Sequence, residues 1–141
     1  MSILLPDVLI DHNLGTIWIQ KVFEDAGFNA MTVSSVFGKQ NALDMEILEF
    51  AGQKQILFVT KDANIRKNRI ERNAVFSNNV RYLCLVHQNK GIEFMKKVFE
   101  KHMKKIIEYS LLPGPWIVIV SESQIKDITK EMQGRCNEVQ L

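Results

Sequence analysis

Five short apolar runs punctuate the chain, at Val8–Ile10, Ala30–Val33, Ile56–Val59, Val80–Val86 and Trp116–Val120. They are mostly β-branched or aromatic and do not alternate with polar residues, which is the pattern of strands covered on both faces. Between them, apolar positions recur at helical spacing. Leu14, Ile17, Trp18, Val22 and Ala26 fall on one stripe, and Gly27 is placed as its C-cap. Ile47, Leu48 and Ala51 mark a second helix that ends near Gly52. A third is expected over about 64–76, and a fourth over about 91–109 with Ile92, Met95, Val98, Phe99, Met103, Ile106 and Ile107 turned inward. A last helix is expected around 123–133. The order βαβαβαβαβ predicts an α/β fold: a mostly parallel central sheet, right-handed crossovers and helices on both faces. Pro113-Gly114-Pro115 reads as a stiff turn into the last strand, and 34–43 as a loop.

Length and composition fit one compact domain over residues 1–141, with 46% hydrophobic residues and no low-complexity segment or internal repeat. No apolar run approaches the ~20 residues that span a bilayer, and no N-terminal stretch has the make-up of a secretory signal. The chain therefore reads as soluble, cytoplasmic and without a membrane partner. Two cysteines with no metal or redox spacing agree with this; Cys84, inside YLCLV, suits a small buried hydrophobe.

Charge adds something the net value of +2 hides. Residues 1–60 carry three Lys or Arg against seven Asp or Glu, residues 61–109 carry twelve against five, and residues 110–141 carry three against four. Acids and bases are segregated along the chain. An acidic cluster beside a basic surface suits an enzyme that holds a polyanion and cuts it with metal ions, although basic helix faces are also commonly just solvated.

The candidate chemistry lies where apolar runs give way to helical segments. Asp11 follows DVLI, Asp44 and Glu46 open DMEILEFA, and Asp62 with Asn64 follows ILFVTK. In open α/β sheets ligands bind beyond the carboxyl ends of the strands, near a reversal of strand order, so these residues can converge on one cleft. Crowded carboxylates repel unless a cation sits among them, and hard oxygen ligands select Mg²⁺ or Mn²⁺ over Zn²⁺. Each acid alone is equally at home as a helix cap or a first-turn acid, and Asn13, Asp44 and Asp62 are all placed to cap. Lys61, Arg66, Arg69 and Arg72, with Lys67, are concentrated just after the third run. Arginine grips phosphate bidentately, and Arg69 and Arg72 would share a helical face, with Glu71 available to tether one of them. The histidines carry less: His12 adjoins Asp11, and His102 has no obvious partner. Trp18, Phe23 and Trp116 read as core, leaving no stacking platform for single-stranded RNA.

The strings LIDHNLG, DMEILEFA and VTKDANIRKNRIERNAV, with the later LLPGPWIVIV, resemble the PIN-like domain of prokaryotic VapC-type toxins over about residues 8–120. The resemblance implies a PIN-like three-layer α/β sandwich and a metal-dependent endoribonuclease. Asp11, Asp44 and Asp62 match its metal-binding, catalytic acids. Asn64 stands where many relatives carry another acid, and Glu46 is placed to compensate for that ligand. The resemblance further implies an RNA substrate cut to 5′-phosphate and 3′-hydroxyl ends, a cognate antitoxin protein covering the acidic cleft, and compatibility with a homodimer. Two other classes share the alternating pattern. A phosphoacceptor receiver domain wants an acidic pair after the first strand and a lysine after the fifth, where this chain offers Asp11-His12 and Ser121-Glu122. A catalytically silent RNA- or protein-binding module would keep the fold and the basic surface.

Overall fold

The computed structural model describes residues 4–15, 17–38, 44–61, 67–86 and 91–136. Its six strands, β1 (Val8–Ile10), β2 (Ala30–Thr32), β3 (Leu57–Lys61), β4 (Arg81–Leu85), β5 (Trp116–Val120) and β6 (Ile125–Asp127), form one sheet in the order β2-β1-β3-β4-β5-β6. β1 to β5 are mutually parallel, and β6 runs antiparallel to β5.

Period-two geometry sorts each strand's residues onto two buried faces. Val8, Ile10, Leu57, Val59, Leu83, Leu85, Val118 and Val120 pack on one side against helices α1 (Ile17–Asp25) and α5 (Ile92–Ser110). Leu9, Phe58, Tyr82, Cys84, Ile117 and Ile119 pack on the other, against α2 (Val33–Phe37), α3 (Asp44–Gln53), α4 (Arg69–Ser77) and α6 (Thr129–Cys136). The result is the expected three-layer α/β sandwich. Phe23 and Phe99 meet edge-on at 5.4 Å and join α1 to α5. Cys84 is buried on the second of these faces.

Several expectations need correction. The first helical stripe holds at Leu14, Val22 and Ala26 but not at its middle: Ile17 and Trp18 are 70% and 52% exposed, while Ile19 and Phe23 face the core instead. The cause is a separate 3-10 turn, His12–Leu14, which buries Leu14 and ends at Gly15 in the left-handed region (φ 69°), so helical phase does not carry across it. Gly27, with φ 105°, does follow α1 as a terminating residue. The segment expected as a loop begins with α2, closed by a reciprocal cap in which Thr32 and Ser35 exchange side-chain to backbone bonds. Trp116–Val120 is not the last strand. Ser121 and Gln124 close a tight turn into β6, and only then does α6 begin.

α3 approaches the end of α4 through Gly52. A Cβ at this position would lie 1.9 Å from the backbone oxygen of Asn78, so only glycine allows the approach. Gly52→Ala is expected to lower unfolding stability by about 1–3 kcal/mol, the usual scale of overpacking. Urea titration followed by circular dichroism would measure this.

Candidate active site

Asp11 prolongs β1 by one extended residue (φ −70°, ψ 147°), and its amide still bonds to the carbonyl of Val59. Alternation therefore turns its side chain to the same face as Leu9, the face covered by α3 and α4. The position is the reversal of strand order between β1 and β3, where open α/β sheets bind ligands.

Two hydrogen-bonding units join the ends of β1 and β3 there. The Thr60 hydroxyl donates to Asp11 Oδ2 at 2.7 Å, and the His12 amide donates to Oδ1 at 2.8 Å. The second unit is Asn13, which the sequence offers as a cap. Its amide nitrogen donates to the Lys61 carbonyl at 2.7 Å, and its oxygen accepts from the Lys61 amide at 3.2 Å. The same nitrogen approaches Thr60 Oγ at 3.3 Å. Asn13 thus extends the ladder where β1 has stopped and fixes the backbone immediately before Asp62. Neither Thr60 nor this use of Asn13 was predicted from sequence. The available signal is a hydroxyl closing an otherwise apolar strand, LFVT.

Asp11 is only 8% exposed. Among the described residues its sole ion pair is with the half-exposed His12 ring, Nδ1 to Oδ1 at 3.1 Å. A buried carboxylate without a strong counter-charge is costly. Its oxygen-donor chemistry and its burial fit a divalent cation. Asp44 and Glu46 occupy the exposed first turn of α3, on the layer that Asp11 faces. A groove of about 310 Å³ between the starts of α3 and α4 is lined by Asp44, Met45, Asn68, Ile70 and Glu71. Glu71 is held there by Tyr82 Oη, which donates at 2.9 Å, and by Asn68, whose side chain caps α4. Among the described residues no three His, Cys, Asp or Glu side chains cluster tightly enough to hold a metal ion. Asp62, Asn64 and Arg66 lie outside the described residues.

Of the expected phosphate-binding residues, Arg69 is exposed at the start of α4, and Lys61 is half-buried at the end of β3. Arg72 is 6% exposed. It therefore does not share a solvent face with Arg69, because α4 turns this position into the sandwich. His102 does have a partner, the Ser121 carbonyl at 2.9 Å.

A model of the PIN-like domain family matches residues 6–87. The chain belongs to the PIN-like domain family. The matched span takes in the strand reversal and every acid proposed from the sequence, and stops before α5. This PIN-like domain is also similar to a Mycobacterium tuberculosis protein named "Putative ribonuclease VapC45", with 27% identity over 124 residues covering 86% of this chain and 90% of that protein. No solved structure matches the chain. No helix among the described residues of the PIN-like domain is long and apolar enough to cross a membrane.

The Asn13 bridge makes a local prediction. In Asn13→Ala the Lys61 amide should exchange with solvent roughly 2- to 12-fold faster, as loss of one hydrogen bond allows, while the Leu83 amide in the middle of β4 keeps its protection. Native-state hydrogen exchange by NMR checks it.

Proposed function

We propose that this PIN-like domain is a Mg²⁺- or Mn²⁺-dependent endoribonuclease and the toxin of a toxin–antitoxin pair. The observation that carries the reading is Asp11: a nearly buried carboxylate at the strand reversal, oriented by Thr60 and the His12 amide, with its strongest partners all uncharged. Its membership of the PIN-like family and its similarity to a protein named as a ribonuclease support the reaction class.

Asp11, Asp44 and Asp62 would hold the ion, with Glu46 and Asn64 as further oxygen donors. A divalent ion held there would lower the pKa of a bound water, the nucleophile, and would offset charge developing on the scissile phosphate. The chain's own groups position the reaction. Thr60 and the His12 amide keep Asp11 from rotating, and Asn13 holds the strand end that leads to Asp62. Lys61, Arg66 and Arg69 would grip flanking phosphates, a role that burial takes from Arg72. An RNA strand is the polyanion matched to this pairing of acids and bases, and hydrolysis leaves 5′-phosphate and 3′-hydroxyl ends. A cognate antitoxin would cover the acids with a basic side chain, and a homodimer is compatible with the surface.

Purified protein should cleave single-stranded or structured RNA in Mg²⁺ or Mn²⁺ and not in EDTA. Asp11→Asn should reduce the rate roughly 100-fold or more, the scale of losing one stabiliser of transition-state charge. Titration calorimetry with Mn²⁺ should show weakened binding in the same variant. Equal cleavage by parent and variant would remove Asp11 from the site.

A further inference from the structure

The aromatic residue that the apolar pattern assigns to the core stands instead on the catalytic edge. Trp18 lies in the first turn of α1, seven residues after Asp11, and is 52% exposed. In a parallel α/β sheet this turn is at the carboxyl ends of the strands, the edge that also bears Asp11. A further contact fixes its surroundings. A Cβ at Gly15 would meet Ile92 Cδ1 at 3.5 Å, so the loop leaving Asp11 touches the first turn of α5. From that helix Lys96 reaches over the indole, its Nζ 5.3 Å from the ring centroid, and among the described residues its one ion pair is a long 3.9 Å contact to the exposed Glu93.

The charge that touches the ring is a cation, Lys96. Lys21 is exposed one turn along α1, the acids of α1, Glu24 and Asp25, stand at its opposite end, and Glu93 in the first turn of α5 is the acid nearest Lys96. A large flat apolar surface with ammonium groups at its rim matches an unpaired nucleobase and its phosphates: the base stacks on the indole and the lysines neutralise the backbone. A purely apolar partner would leave Lys96 with only its long contact to Glu93 as counter-charge among the described residues.

We infer that Trp18 and Lys96 form a stacking subsite for an unpaired base of an RNA strand whose scissile phosphate lies at Asp11. The inference rests on the ribonuclease reading and narrows its substrate to RNA that is single-stranded on this side of the cut. A paired base, stacked within a duplex, cannot present its face to the ring.

The test uses the full chain carrying Asp11→Asn, in EDTA, so that binding is read without cleavage. Oligoadenylate and a duplex of equal length serve as probes. Affinity is read in every variant from the anisotropy of a labelled oligonucleotide; in the chain that keeps Trp18, quenching of tryptophan fluorescence reports chiefly on that residue, because Trp116 is 4% exposed. Adding Trp18→Ala should weaken single-strand binding roughly 5- to 150-fold, the contribution of one stacked base, and leave duplex binding unchanged. Trp18→Phe should recover most of the loss, and Lys96→Gln should flatten the salt dependence. Equal single-strand affinity with and without Trp18 would overturn the subsite, even if the parent cleaves RNA. A loss that accompanies dissociation of a dimer in light scattering would overturn it as well, marking the surface as a contact between copies. Failure of the Asp11→Asn chain to bind either RNA would overturn the subsite, whereas absence of RNA cleavage by the parent in Mg²⁺ or Mn²⁺ would overturn the ribonuclease reading on which it rests.

Discussion

Everything in this molecule follows from covering the parallel sheet on both sides. Leu9 faces one helical layer while Val8 and Ile10 face the other, and the same division holds along β3, β4 and β5. A strand buried on two faces has no place for a polar side chain along its length. Polarity is confined to its ends. Because β1 to β5 run in one direction, those ends gather on one edge, and the reversal of order between β1 and β3 leaves the space where Asp11 sits.

The edge is stiffened rather than left to loops. Asp11 at the end of β1 and Asn13 in the 3-10 turn that follows use side chains to do what backbone pairing does lower down. The first binds the hydroxyl that closes β3, and the second binds the amide and carbonyl of the next residue. An acid with one oxygen on a hydroxyl and the other on an amide loses rotational freedom before any ligand arrives. That loss is the preorganisation a charge-stabilising site needs, since groups already oriented require no rearrangement when charge develops.

What the sequence makes legible divides along physical lines. Burial on two faces writes itself as unbroken apolar runs, so β1, β3, β4 and β5 are readable to within a few residues, and the inward set of α5 is readable from its spacing. Elements without a strong hydrophobic signature are not. β6 is the polar triplet IKD, held mainly by its antiparallel pairing to β5, and α2 depends on a cap at Thr32 rather than on an amphipathic stripe. The phase of α1 is lost for a related reason, since periodicity presumes one continuous helix and Gly15 interrupts it. At the site, the location of Asp11 at a strand end is legible, but its partner Thr60 is 49 residues away in sequence, and only the register of β1 against β3 reveals it. Arg72 illustrates the converse: its charge suggests the surface, and the helical phase set by Ala74 and Val75 takes it inside.

The two outermost strands, β2 and β6, are each three residues long, and each stops for a local reason. Thr32 turns the chain into a helix at one border, and Asp127 turns it into another by accepting from the Thr129 amide at 2.8 Å. A foreign strand laid against either border would find only a few free backbone groups, and at β6 it would also meet the exposed charges of Lys126 and Asp127. Short, charged borders of this kind resist edge-to-edge polymerisation. A chain whose interior is a stack of aliphatic strands is thereby kept from templating its own aggregation.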